Sequence, residues 1–219
     1  SRDHVGFIRA KGTSSVAYTI EGNTSGGQVD TKTRYFTNIF AIYRLDTSKA
    51  KKTKNQKIYE MAKACAYPMG TGAKKNYPGG HAKKAYRKAL NKAYPNRNGW
   101  RDQTRKGASC DVFVGTVIRA SGVDKMFPRG LDDINNYMKT DHFKKKWKRI
   151  KNPKRKQLKP GDVTYQIFHG RIGHVTIYMG GNKVANAHYF GKSYPVIEKY
   201  SNKVHPASRT TKFYAFRPK

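Results

Sequence analysis

The sequence predicts an α+β fold in which helices come first and an antiparallel sheet follows. Two patterns support this prediction. Apolar residues recur at helical spacing in three segments between residues 55 and 120. From Leu158 onwards, short alternating runs of apolar and polar residues are separated by glycine and proline, as is typical of strands and turns. The first 45 residues alternate in the same way and predict an extra β-rich segment.

Strands are predicted in this N-terminal segment at 5–9, 16–21, 34–36 and 40–44. Residues 46–57 are polar and rich in lysine, and we expect them to form a linker. The predicted organisation is therefore a β segment at 1–45, the linker at 46–57 and a main domain at 58–219.

Amphipathic helices are predicted at about 55–66 and 82–94. Cys65 lies in the apolar stripe of the first helix, so it is predicted to be a core residue. The polar face of the second helix is basic, which fits either a solvated surface or a surface for an anionic polymer. A further short helix is predicted at 132–138.

The segment Gly107–Arg119 predicts a helix that begins at a cysteine. At Cys110 the backbone N–H groups are unpaired and the helix dipole is positive, so a thiolate is expected to be favoured over a thiol. Four apolar residues behind it form one buried stripe: Phe113, Val114, Val117 and Ile118. Cys110 is then either a mounted nucleophile or a small buried residue, and these residues alone leave both open.

The second half predicts a sheet of about five strands, in which the Gly180–Lys183 turn makes a hairpin. His174 begins one hairpin strand, and Asn186 lies on the return strand, where antiparallel pairing can bring it beside His174. Cysteine catalysis needs a thiolate, an imidazole within hydrogen-bond reach and a polar group that orients the imidazole. His188 points to the same face as Asn186, so either residue is a candidate for that third role, and the register favours Asn186.

The net charge of +33 comes from 46 basic and 13 acidic residues and predicts a polyanionic partner. Nucleic acid, anionic lipid headgroups and phosphate-rich wall polymers all fit it. The basic segment 144–159 includes Trp147, but no recognisable nucleic-acid module surrounds it. No apolar run is long enough to cross a membrane, and the missing secretory signal says little, because the chain begins as if within a domain.

Three ordered motifs then resemble those of papain-like bacterial and phage cell-wall hydrolases, the NlpC-type and CHAP-type peptidases and amidases. They are Ser109–Val114 with Arg119–Gly122, Leu158–Val163, and Gly173–Gly180 with Val184–Ala187. The resemblance implies a cysteine that attacks a peptide or amide bond of peptidoglycan, a histidine base and a polar orienting residue. Two residues depart from the family pattern. Asp111 stands where a serine or alanine is frequent, and Thr176 stands where glycine is common.

The N-terminal segment resembles the sheet half of a CHAP-type domain that lacks its cysteine helix. The matching motifs are Asp3–Ile8 and the Glu-Gly-Asn sequence at 21–23. His4, Glu21 and Asn23 would then be catalytic in type but without a nucleophile. The alternative is that these strands are an added sheet of the main domain.

The expected activity is therefore peptidoglycan hydrolysis by Cys110, His174 and Asn186 or His188, in a phage endolysin or a secreted autolysin that acts outside the cell or in its wall. The expected partners are peptidoglycan and anionic wall polymers, without specific nucleic acid. No cofactor and no metal is expected. The competing classes are a non-catalytic basic module that binds wall polymer or nucleic acid, and an acyl transferase of the same fold.

Overall fold

The computed structural model describes residues 6–11, 16–24, 28–35, 51–70, 82–95, 108–168, 172–187, 194–200 and 210–219. The chain divides into two compact units, residues 1–50 and residues 51–219. The division falls inside the segment 46–57 that the sequence predicts as a linker. The second unit combines helices with an antiparallel sheet, so the α+β prediction is confirmed.

The first unit contains a three-stranded antiparallel sheet over its described residues. Its strands are, in spatial order, β1 (Gly6–Lys11), β2 (Val16–Thr24) and β3 (Gln28–Tyr35). The first two match the predicted strands. The strand predicted at 34–36 overlaps the end of the longer β3, and the one predicted at 40–44 lies outside the described residues.

Four of the five described helices of the second unit lie close to their predicted positions, and the fifth, at Asp141–Lys146, was not predicted. They are α1 (Lys54–Cys65), α2 (Lys84–Ala93), α3 (Cys110–Ala120), α4 (Leu131–Tyr137) and α5 (Asp141–Lys146). α1 begins earlier than the linker prediction allows, because Thr53 and Gln56 form a reciprocal capping box at its start. Residues 54–57 are therefore helix and not linker. None of the described helices is both long and apolar enough to cross a lipid bilayer.

The main sheet has six strands within the described residues, one more than the sequence predicts. The order is β4-β9-β5-β6-β7-β8. The strands are β4 (Trp147–Lys151), β5 (Val163–Phe168), β6 (Ile172–Gly180), β7 (Lys183–Asn186), β8 (Val196–Lys199) and β9 (Thr210–Pro218).

The additional strand is β4, which lies in the basic segment and at one edge of the sheet. The sequence of β4 does not show the alternation of apolar and polar residues that is typical of a strand. Its exposed positions include the consecutive basic residues Lys148 and Arg149 as well as Lys151. Charged side chains on an edge strand discourage pairing with another chain. Trp147 is 2% exposed and donates its indole N–H to Asp124 at 2.8 Å, so its ring belongs to the core and cannot stack on a nucleic-acid base.

The core lies between one face of the sheet and the helices, with α3 packed against β6. Phe113, Val117 and Ile118 of α3 are fully buried, as the predicted stripe requires. Val175 and Ile177 of β6 belong to the same core, whereas Tyr178 belongs to a smaller cluster on the opposite face.

The buried carboxylate of Asp162 joins the start of β5 to the last strand and the first helix. Arg217 donates to it through Nε at 2.9 Å and through Nη2 at 2.6 Å, and Asn55 of α1 donates through Nδ2 at 3.0 Å. The hydrogen bonds that Arg217 donates to Asp162 raise the pKa of its guanidinium above the ordinary value. Asp162 is therefore a structural residue within its motif.

Gly161 precedes this carboxylate and has two independent reasons to be glycine. Its φ is +90°, in the region that side chains disfavour, and a Cβ added there would lie 2.2 Å from the carbonyl oxygen of Asn55. Close approach between α1 and the start of β5 thus depends on the missing side chain.

We expect Gly161→Ala to destabilise the main unit by about 2–5 kcal/mol. The positive φ adds backbone strain of about 1–2 kcal/mol, and the steric overlap of the new Cβ with Asn55 costs a similar amount or somewhat more. Gly70→Ala is the matched control, because Gly70 also has a φ of +90° and a Cβ there would meet no atom within 4 Å. Urea unfolding midpoints measure both. Equal losses for the two variants would contradict a packing role for Gly161.

Candidate active site

Cys110 is the first residue of α3 and is half-buried. The preceding Ser109 is extended, and its side chain makes no capping hydrogen bond. The start of the helix is held instead by Asp111, which accepts a hydrogen bond from the backbone N–H of Gly130 at 3.0 Å. This contact explains why an aspartate follows the cysteine in this chain.

Three backbone N–H groups near the sulfur of Cys110 favour a negative charge on it. They belong to Val175 of β6, to Asp111 and to Cys110 itself. Val175 directly follows His174. The nucleophile candidate therefore lies near the strand that holds the histidine candidate.

The resting ionisation of Cys110 differs from the sequence prediction. Burial raises the pKa of the thiol to about 11, and the negative charge of Asp111 acts in the same direction. The three backbone N–H groups lower the pKa but do not outweigh these two effects. The predicted preference for thiolate is therefore wrong for this arrangement, because the helix terminus also removes the sulfur from water.

His174 lies near the start of β6, where it is half-buried and pairs with Gln166 of β5. The preceding Gly173 is required by packing, because a Cβ there would lie 2.7 Å from the carbonyl oxygen of Gln166. Side chains alternate along a strand, so His174 and Thr176 share the face of Tyr178, opposite the face of Val175.

Thr176, where the cell-wall hydrolases that the sequence motifs resemble often have glycine, has a structural role here. Its hydroxyl lies 2.6 Å from that of Thr164 on β5, and both residues are fully buried. Two hydroxyls on adjacent strands satisfy each other, so the departure from the family pattern stabilises the sheet beside His174.

The hairpin that joins β6 to β7 is confirmed. Gly181 and Asn182 form its two-residue loop, and both have positive φ angles, of 53° and 61°. Ile177 pairs with Ala185, so Asn186 lies level with Thr176 and one diagonal position from His174. The two residues share a face, but Asn186 is not directly opposite His174. His188 lies outside the described residues.

Two groups at this site were not foreseen from the sequence. One is the backbone N–H of Val175, which lowers the pKa of the Cys110 thiol. The other is Glu198 of β8, whose Oε1 accepts a hydrogen bond of 2.6 Å from Nδ2 of the fully buried Asn186. Knowledge of the pairing of β7 with β8 would have indicated Glu198. Glu198 is paired with Val184, and Val184 is on the same face of β7 as Asn186.

Cys65 is confirmed as a core residue. It is fully buried at the end of α1, and burial raises the pKa of its thiol to about 12. His4 lies outside the described residues. Glu21 and Asn23 lie in β2, as part of the three-stranded sheet.

No protein-family model matches this chain, and no curated protein matches it significantly. The function must therefore be argued from the residues and the geometry of the site.

Alkylation of Cys110 by iodoacetamide is expected to be slow at neutral pH and to accelerate by about tenfold for each pH unit from about pH 8 to pH 10. The thiolate is the reacting species, and a raised pKa delays its formation to alkaline pH. Mass spectrometry of the Cys110 peptide gives the rate.

Asp111→Asn should shift this profile to lower pH, because the variant removes the nearby charge while its side-chain oxygen can still accept from Gly130. A labelling rate that reaches its plateau below about pH 8 would contradict the raised pKa.

Proposed function

We propose that the main domain is a papain-like cysteine peptidase or amidase that cleaves a peptide or amide bond of peptidoglycan. Cys110 is the nucleophile, His174 is the general base and Asn186 orients the imidazole. The observation that supports this most strongly is the packing of α3 against β6, because it brings the start of the helix to the strand of His174 and lets the Val175 N–H lower the pKa of Cys110.

The end of the strand ladder also favours the assignment. The described pairing of β6 with β7 stops at Ile177, so Val175 lies beyond that ladder. The proposal places the sulfur of Cys110 at this edge of β6, beside the imidazole of His174, which leaves the strand one residue before Val175.

In the proposed reaction, His174 removes the proton from the Cys110 thiol as the sulfur attacks the substrate carbonyl. The tetrahedral oxyanion accepts a hydrogen bond from the backbone N–H of Cys110. This N–H has no intrahelical acceptor, because Cys110 is the first residue of the helix. The C–N bond then breaks, and the leaving amine takes the proton from His174. Water, deprotonated by the same imidazole, hydrolyses the thioester and releases the carboxylate and the thiol.

A neutral resting thiol fits this sequence of steps. With the pKa of Cys110 near 11, proton transfer has to accompany the attack, as it does for a serine nucleophile. Activity then requires His174 to be neutral, so it should fall as the pH drops through the pKa of that imidazole.

The net charge supports a wall substrate. A charge of +33 attracts the phosphate-rich polymers of bacterial walls and should concentrate the protein there. This activity belongs to a phage endolysin or a secreted autolysin and takes place outside the cell or in its wall. The three-stranded N-terminal sheet is proposed to be the remnant of a CHAP-type half-domain, with His4, Glu21 and Asn23 lacking a nucleophile.

The second candidate is a non-catalytic module that binds anionic wall polymer, and the same charge favours it. Nucleic acid is a weaker partner for this module, because the aromatic residue of the basic segment, Trp147, is buried. The two candidates differ in whether Cys110 is needed for an effect on the wall.

Cys110→Ala is expected to reduce the release of soluble fragments from purified cell wall by at least about a thousandfold, because the covalent intermediate can no longer form. Fragment masses also identify the bond that is cut. Cys65→Ala is the matched control: it removes the buried thiol of α1 and should leave the rate at low temperature unchanged, with a lower melting temperature.

Unchanged fragment release by Cys110→Ala would overturn the catalytic assignment. Wall binding without release by the wild-type protein would establish the binding module. Products joined to an added amine, in place of free carboxylates, would identify an acyl transferase.

A further inference from the structure

The side chain of Asn186 is hydrogen-bonded to Glu198 of β8, the strand on the side of β7 opposite to His174. The register pairs Asn186 with Val196 and Val184 with Glu198, so Asn186 and Glu198 lie on one face of β7 and β8. The Asn186 amide donates from Nδ2 to Oε1 of Glu198 at 2.6 Å. Asn186 is fully buried and Glu198 is half-buried, so this hydrogen bond is sheltered from water.

This partner determines which end of the amide faces which strand. An amide has a donor end and an acceptor end, whereas an ionised carboxylate only accepts. Glu198 therefore selects the orientation in which the NH₂ group of Asn186 is on the β8 side. The oxygen Oδ1 is then directed away from Glu198, and β6, with Thr176 and His174 on the same face, lies on the other side of β7.

The orientation matters for catalysis because a general base must have a bare nitrogen toward the thiol. A neutral imidazole has one N–H and one lone pair, and the hydrogen bond to its second nitrogen determines which is which. An amide oxygen accepts the N–H and leaves the lone pair for Cys110. An amide NH₂ group in the same place would favour the opposite tautomer and remove the base.

We propose that Glu198 is a positioning residue that fixes the amide of Asn186 with Oδ1 directed toward the strand of His174, so that this oxygen accepts the ring N–H of His174 when the imidazole acts as the base. The inference rests on the proposed function, because it gives Asn186 its task in the cysteine mechanism. It adds a residue outside the resemblance to cell-wall hydrolases, and it selects Asn186 over His188 as the orienting group.

Glu198→Gln tests the proposal, because glutamine has nearly the same shape but can donate as well as accept. The Asn186 amide then becomes free to turn over. We expect kcat for wall hydrolysis to fall by about 10- to 100-fold with KM within about twofold, as for partners that orient a catalytic ligand. The matched control is Asp141→Asn, which removes one carboxylate from an exposed ion pair with Lys144 on α5.

A second change should restore the orientation. Aspartate at position 186 has two equivalent oxygens, so in Glu198→Gln/Asn186→Asp one oxygen accepts from the new glutamine and the other accepts from His174. This double variant is expected to recover at least about a tenth of the wild-type kcat. A double variant no more active than Glu198→Gln contradicts the proposal.

A spectroscopic measurement separates this inference from the proposed function. In ¹⁵N-histidine-labelled protein, long-range ¹H–¹⁵N correlations report the tautomer of each neutral ring, and His174→Gln assigns the signals of His174. We expect one tautomer in the wild-type protein and in Asp141→Asn, and a mixture of the two in Glu198→Gln.

An unchanged tautomer in Glu198→Gln overturns the role of Glu198, even if the wild-type protein hydrolyses the wall through Cys110. A changed tautomer in a protein that releases no wall fragments supports the role of Glu198 and contradicts the hydrolase. The two failures are therefore distinguishable.

Discussion

The carboxylate of Asp162 fixes the geometry on which the candidate site depends. It accepts two hydrogen bonds from Arg217 of the last strand and one from Asn55 of the first helix. The backbone carbonyl oxygen of Asp162 also accepts a hydrogen bond from the N–H of Tyr178 at 2.8 Å. One buried residue thus sets the positions of α1, β5, β6 and β9, and β6 is the strand that contains His174. A carboxylate in this environment stabilises the fold only while its donors remain in place, because a buried charge without partners is costly.

The site itself combines two opposing effects on one sulfur atom. Three backbone N–H groups favour negative charge at Cys110, whereas burial and the neighbouring Asp111 disfavour it, and the second pair is stronger. The result is a candidate nucleophile whose surroundings favour an anionic sulfur in part but whose proton is retained at rest. Such a cysteine depends on its base more than a preformed thiolate does.

The α+β class and most elements could be predicted from the sequence because their signals are local. The apolar stripe of α3 and the Gly181–Asn182 loop each specify their structure within a dozen residues. β4 was not predicted, because its exposed lysines mask the alternation of an edge strand. The linker prediction was wrong at 54–57. These lysine-rich residues are helical, because a capping box between Thr53 and Gln56 stabilises the start of α1.

The candidate site could be predicted only in part, for a related reason. Cys110, His174 and Asn186 stand in recognisable motifs, but their surroundings come from segments distant in sequence. The pKa of Cys110 depends on burial under the rest of the domain, and the N–H of Val175 lowers it only because α3 packs against β6. Glu198 has no motif, and its contact with Asn186 exists only through the pairing of β7 with β8.

The central claim is that Cys110 forms a covalent bond with a wall peptide, and intact-protein mass spectrometry after acid quenching tests it most directly. The account predicts a thioester adduct with the mass of the acyl half of the substrate. Its position should map to Cys110, and it should disappear on treatment with hydroxylamine. Fragment release during which Cys110 is never acylated, or an adduct on any other residue, would contradict the account.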